Sequence, residues 1–166
     1  WHMTRDAFLV RDFLLHWLYP RYVQGTYRLH TADVIPYLQA LAQTTEITWS
    51  GRWTAATTAR VASGLLRIAA DVGLLTGTAA KTFASYHLPE ASFLYLLHAM
   101  GEQEPNARRL IDAEDWHMYL LDAIDVEREL LRLHQFRKVQ YEVAGSLAQL
   151  TLPYRSTADY ARELVA

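Results

Sequence analysis

Between Thr54 and Gly73 the apolar residues Val61, Leu65, Leu66, Ile68, Ala69 and Val72 recur at the spacing of one face of an α-helix. Thr54 carries a side-chain oxygen able to satisfy a free amide of the first turn. Gly73 stands where a left-handed residue ends the helix. A helix with one apolar face needs other elements to cover it, and the rest of the chain offers mostly further helices.

The pattern predicts a first helix capped by Thr4, with Phe8, Val10, Phe13, Leu14, Trp17 and Leu18 inward, broken at Pro20 and Gly25. A second starts at Thr31 or Asp33 and runs through Val34, Tyr37, Leu38 and Leu41 toward Thr44, with Pro36 tolerated near its beginning. Thr82–Leu88 alternates and is aromatic-rich, which predicts a strand or extended arm ending at Pro89. Further helices are expected from Pro89 to Gly101, from Pro105 to Ile111, from Asp115 through Ala123, and from Asp125 through Leu133. Val139–Leu152 turns β-like around Gly145, and Thr157 opens a short final helix to Val165.

The fold class expected is therefore mainly α, with a helix-turn-helix-like segment and a small β element built from segments distant in sequence. One domain is expected over residues 3–166. Trp1 and His2 read as vector-derived residues ahead of Met3. The chain has no repeat and no low-complexity linker.

Composition narrows the function. The 166 residues include no Cys, which excludes disulfide scaffolds, thiolate metal sites and cysteine nucleophiles. Half the residues are apolar and 20% are charged, the balance of a folded domain. The longest strongly apolar uncharged stretch, Ala91–Gly101, is far short of the roughly 20 residues that cross a bilayer. A cytoplasmic protein with no membrane partner is expected.

The formal charge of −2 excludes a polyanion binder driven by bulk charge, but its distribution is uneven. Residues 1–89 hold 8 bases against 5 acids, residues 90–129 hold 3 against 10, and residues 130–166 hold 5 against 3. An acidic middle between mildly basic ends suggests a surface with two faces.

The order helix, turn, helix, then an extended aromatic segment over 31–88 is that of a winged helix-turn-helix. In such a fold the N-terminal half of the second helix meets the DNA major groove. The residues so placed are Thr54, Thr57, Thr58, Arg60 and Ser63, with Arg52 before them, Arg67 further along and Lys81 at the arm. Hydroxyls and guanidinium groups suit phosphate and base-edge contacts. The same Thr residues also serve as plain helix caps.

Other chemistry is poorly supported. Asp112, Glu114, Asp115, His117, Asp122 and Asp125 match no calcium loop or zinc helix, and caps explain the Asp residues more simply. Ser146 follows Gly145 without a nucleophile-elbow pattern, and Gly73 and Gly77 lack the Lys-Ser/Thr that completes a phosphate loop. His98 and His134 read as hydrogen-bonded, partly buried side chains. No enzymatic activity, cofactor or metal is expected. Trp17, Trp49, Trp53, Trp116 and ten Tyr residues supply core packing, with some available to an interface.

A set of short motifs carries a resemblance. They are Thr58-Ala59-Arg60, Gly64-Leu65-Leu66, Asp71-Val72-Gly73-Leu74-Leu75, Pro89, Tyr95-Leu96-Leu97-His98 and Asp115-Trp116. Asp125-Val126-Glu127-Arg128, Leu133-His134-Gln135, Tyr141 and Ala144-Gly145 follow. In this order and spacing, from about Asp12 to Pro153, the chain resembles the BREX protein A family of bacteriophage-exclusion islands. The resemblance implies a helical fold similar to the RNA-binding antitermination factor B. It also implies association with double-stranded DNA, and action beside a methyltransferase, an ATPase and other defence-system proteins. It carries over no catalytic residues. Members have borne an inner-membrane label, with which the hydropathy here disagrees. Full-length members are expected to have further N-terminal helices, so the chain reads as a short homologue.

Three functions are therefore carried forward. The first is a non-enzymatic DNA-binding accessory protein. The second is a protein-interaction scaffold without nucleic-acid contact. The third is an RNA-binding module. The first expects Arg52, Arg60, Arg67 and Lys81 on one exposed face, and the second expects them scattered or ion-paired beside an exposed apolar patch.

Overall fold

The computed structural model describes residues 1–44, 53–145 and 147–165. The chain divides into two units, His2–Tyr86 and His87–Ala166, the second also taking in Trp1. The span 3–166, expected as one domain, contains both.

The N-terminal unit begins with α1 (His2–Asp6), α2 (Phe8–Asp12), a π-helical segment Phe13–Leu18 and α3 (Tyr19–Val23). Thr4 does not act as the expected cap: it is buried inside α1, and Ala7 separates α1 from α2 without a side-chain cap. Nor does Pro20 break the helix. It sits in the first turn of α3, where a missing amide matters least. The wider turn before it shifts the register, and the Tyr19 N–H donates to the Leu14 carbonyl, five residues back. Within this stretch Phe13 and Trp17 stack at 5.1 Å, both almost fully buried.

α4 (Thr31–Thr44) starts at Thr31 as expected, and Asp33 accepts the His30 N–H at 2.7 Å, securing the first turn. α5 (Ala55–Asp71) packs against α4. Thr54 is its N-cap, accepting the Thr57 N–H at 3.2 Å. Thr58, Ala62, Leu65, Leu66 and Ala69 form its buried face, and Gly73 follows at φ +84°, the left-handed backbone that favours glycine. β1 (Leu75–Thr76) then pairs antiparallel with β2 (Thr82–Phe83), Leu75 opposite Phe83. An isolated antiparallel bridge joins Leu29 to Lys81, with both N–H···O bonds at 2.8 Å.

The C-terminal unit holds α6 (Glu90–Gly101), α7 (Ala107–Ile111), a 3-10 turn Glu114–Tyr119 and α8 (Ala123–Gln135). β3 (Gln140–Ala144), β4 (Leu147–Thr151) and α9 (Thr157–Val165) complete it. α6 is apolar nearly all round and correspondingly buried from Phe93 to Met100 apart from Tyr95. Phe93 stacks on Trp116 at 5.0 Å, and the Trp116 Nε1–H donates to the Leu110 carbonyl at 2.8 Å.

Three sequence expectations change here. The helix expected from Asp115 through Ala123 is a 3-10 turn ending at Leu120, whose φ of 59° stops it. α8 is capped by Asp122 rather than Asp125. Asp122 accepts the Asp125 N–H and Asp125 accepts the Asp122 N–H, a reciprocal capping box. The β structure is also local rather than assembled from distant segments: β3 and β4 form one hairpin around Gly145, and β1 and β2 another. Short connections favour adjacent antiparallel pairing over long-range closure. The chain is mainly helical, with these two small sheets.

Candidate nucleic-acid interface

The charge asymmetry follows the structural division. Residues 2–86 carry 8 bases against 5 acids, and residues 87–166 carry 8 against 13. In the C-terminal unit Arg108, Arg109, Arg128, Arg132, Lys138 and Arg162 each pair with a nearby carboxylate. It is the net excess of acids in this unit, rather than these largely exposed pairs, that disfavours a polyanion there.

In the N-terminal unit, α5 presents Thr57, Arg60, Ser63 and Arg67 on its exposed side. Arg60 and Arg67 lie seven residues apart, two turns along one face. Gly64 lies between them with open space where a Cβ would stand. Arg60 has no ion pair among the described residues. Arg67 reaches Asp71 at 3.6 Å, but both side chains are mostly in solvent, where such a pair is weak.

The remaining sequence-predicted residues are placed differently. Thr54 and Thr57 are exposed at the helix start, with their hydroxyls 3.0 Å apart. Thr58 is buried, and its hydroxyl donates to the Thr54 carbonyl at 3.2 Å. It belongs to the inward face because it falls four residues before Ala62 and seven before Leu65. Lys81 is half-buried on the hairpin after α5, and its ammonium donates to the Gly77 carbonyl at 2.5 Å. Arg52 and Trp49 lie outside the described residues. So does Ser146. Of the predicted cations, Arg60 and Arg67 share a face, and Lys81 stands on a separate element.

The extended arm after Lys81 is shorter than its aromatic pattern suggests. Only Thr82 and Phe83 pair as a strand; Ala84 donates to the Leu74 carbonyl, and Tyr86 turns back to lie 3.9 Å from the Cβ position of Gly73.

A second surface in this unit escaped the sequence reading. Tyr22 and Tyr27 are exposed, and Tyr22 meets Phe83 edge-on at 5.3 Å. The Arg28 guanidinium lies over the Tyr27 ring at 5.6 Å, and Arg21 over Trp17 at 3.9 Å while donating to the Trp17 carbonyl. The available signal was an absence: residues 13–32 and 72–89, the two segments joined by the Leu29–Lys81 bridge, contain no Asp or Glu.

The histidines and acids expected to be structural have defined settings in the C-terminal unit. His98 is buried between Tyr160 and Tyr154, ring centroids at 5.2 and 6.0 Å, and its Nε2 has no hydrogen-bond partner among the described residues. Burial lowers its pKa, opposed by Glu102. His134 is exposed, and its Nδ1 accepts the Tyr141 N–H at 3.1 Å beside a shallow depression of about 570 Å³. The Tyr141 hydroxyl donates to Glu127 at 2.7 Å; burial first, and then that carboxylate, push it up to about 12. Asp115 is buried and accepts the Trp1 Nε1–H at 2.5 Å. Among the described residues no group of His, Asp and Glu is placed to hold a metal ion. No described helix is long and apolar enough to cross a membrane.

Comparison with known proteins decides the family. The BrxA family model matches residues 1–99, which is more than half of the chain. The chain belongs to the BrxA family. It is thus a component of the BREX type of phage defence, as the motif order implied. No curated protein and no solved structure matches it. The matched span includes both α5 and the acid-free aromatic surface, so the features described above lie within the part that defines this BrxA-family member.

Proposed function

We propose that this BrxA-family protein is a non-enzymatic accessory factor that binds double-stranded DNA through α5. The observation that carries this is the exposed α5 stripe of Thr57, Arg60, Ser63 and Arg67 in the unit with surplus positive charge. The order of α4, α5 and hairpin supports it, being that of a winged helix-turn-helix with α5 as the groove-facing helix. Few cations are available, so binding is modest and strongly salt-dependent. The test is a mobility shift with duplex DNA across salt concentrations. Exchanging Arg60 and Arg67 for Ala weakens binding and flattens the salt slope by about two counterions. Unchanged affinity and slope in that variant rule the assignment out.

A second role fits the other unit. Ile124, Leu131, Phe136, Val143 and Leu147 are exposed apolar side chains there, and a neighbouring defence-system protein is a natural cover for them. Under this reading, Ile124→Asp with Leu131→Asp leaves duplex binding intact and abolishes co-purification with the other components. Continued co-purification removes it.

A further inference from the structure

The surface around the Leu29–Lys81 bridge differs in kind from the α5 stripe. It combines exposed rings with cations and has no acid in either contributing segment. Asp33, the nearest acid after Leu29, accepts the His30 N–H and acts on Arg21, so the acid-free stretch ends at the start of α4. Tyr27 is 76% exposed and Tyr22 42%, unusual for rings that could have been buried. Phe83 holds Tyr22 edge-on at 5.3 Å, so that ring is positioned before any ligand arrives. Lys81 donates one proton to Gly77 and keeps two for another acceptor. Thr76 adds an exposed threonine, and Thr26 a half-buried one, from the same two segments.

Duplex DNA hides the faces of its bases inside the stack and offers exposed rings nothing to stack on. An unpaired strand offers a base face and a phosphate at every nucleotide. Tyr27 with Arg28 over its ring supplies both partners at one place: the guanidinium draws the phosphate, and the ring receives the base. Protein partners recognised by exposed aromatics do not require an acid-free surround. A phosphate backbone is favoured by one.

We propose that Tyr22, Tyr27 and Phe83, with Arg28 and Lys81, form a stacking platform for single-stranded DNA. The choice of DNA rests on the α5 reading, because the duplex held there is the source of an unpaired strand when it opens. The platform itself rests on its own rings and charges.

Fluorescence anisotropy on the full chain tests this, using labelled oligothymidylate, a duplex of equal length, oligouridylate, and vesicles of anionic phospholipid. Oligothymidylate binds the wild type. Tyr27→Ala and Tyr22→Ala each weaken it about tenfold, the usual loss for one stacked base. Tyr27→Phe binds like the wild type because the ring is kept. Tyr27 is largely in solvent, so its Ala variant remains informative if Tyr22→Ala unfolds the hairpin. Arg60→Ala with Arg67→Ala reduces duplex binding and spares oligothymidylate. If that pair spares the duplex too while Tyr27→Ala still weakens oligothymidylate, the platform stands and the α5 reading falls. No oligothymidylate binding, or equal binding by Tyr27→Ala, overturns the platform. Tighter binding of oligouridylate overturns the assignment to DNA, and Tyr27-dependent binding to vesicles alone overturns nucleic acid altogether.

Discussion

Arg132 Nη2 lies 2.8 Å from Glu90 Oε2, tying the last turn of α8 to the first turn of α6. The same guanidinium bonds Glu129, and Lys138 bonds the other Glu90 oxygen. Hydrogen bonds from Lys138 and then Arg132 hold the Glu90 carboxyl below the usual carboxylate range. A carboxylate with a lowered folded-state pKa stabilises above its ordinary pKa, and that stability is lost as pH falls through the lowered value. Glu90→Gln is expected to cost about 1 kcal/mol at neutral pH, as a partly exposed network allows. The difference from wild type should shrink in acid, as read by urea denaturation at a series of pH values.

His98 gives a second pH dependence in the same unit. Burial disfavours its charged form, so its folded-state pKa lies below the ordinary value of about 6.5. The unfolded chain then takes up the proton first, and stability falls as pH drops below about 6.5 toward the lowered value. Glu102, Tyr154 and Tyr160 face this imidazole, and only Glu102 opposes the shift. His98→Phe should flatten the melting temperature against pH across this window. An unchanged profile would show that another group carries the loss.

Gly77 stands at φ +100°, and a Cβ there would lie 2.4 Å from the Ala80 carbonyl oxygen. The β1–β2 turn therefore cannot admit a side chain without moving its own backbone. Gly77→Ala should destabilise the protein by about 1–3 kcal/mol, measured by chemical denaturation. The same change should weaken any ligand contact that depends on Lys81, whose ammonium bonds the Gly77 carbonyl.

Thr54 separates capping from DNA contact. Asp caps a helix as well as Thr, and its charge is favourable beside the exposed amides. Thr54→Asp should therefore keep the unfolding free energy within about 0.5 kcal/mol of wild type. Its negative charge near a phosphate should still weaken duplex binding in a mobility shift. Equal binding would place the start of α5 away from the DNA.

Local signals were legible where local energies decide. Thr54, Gly73 and the apolar rows of α5 specified that helix because caps and i, i+4 contacts involve neighbours along the chain. Pro20 misled because a six-residue π-helical segment re-registers the backbone ahead of it, and nothing in residue type alone announces that turn. Asp115 and Asp125 are the expected caps of two successive helices, and neither is an N-cap: Ala113 precedes the 3-10 turn and Asp122 caps α8. The left-handed Leu120 ended the first helix early and gave the role to Asp122.

The sequence by itself determined the mainly helical class, the family, the cap of α5, and the charge pattern of an acidic middle between mildly basic ends. Each of these is a property of composition or of residues a few positions apart. Tertiary structure decided that Lys81 stands on an element apart from Arg60 and Arg67. It also decided that Tyr22 meets Phe83, and that Glu90 meets Lys138. Those partners are tens of residues apart, and bringing them together costs loop-closure entropy that only cooperative burial of the surrounding core offsets. A one-dimensional pattern records which residues are apolar or charged; the packed chain selects which of them are left facing a ligand.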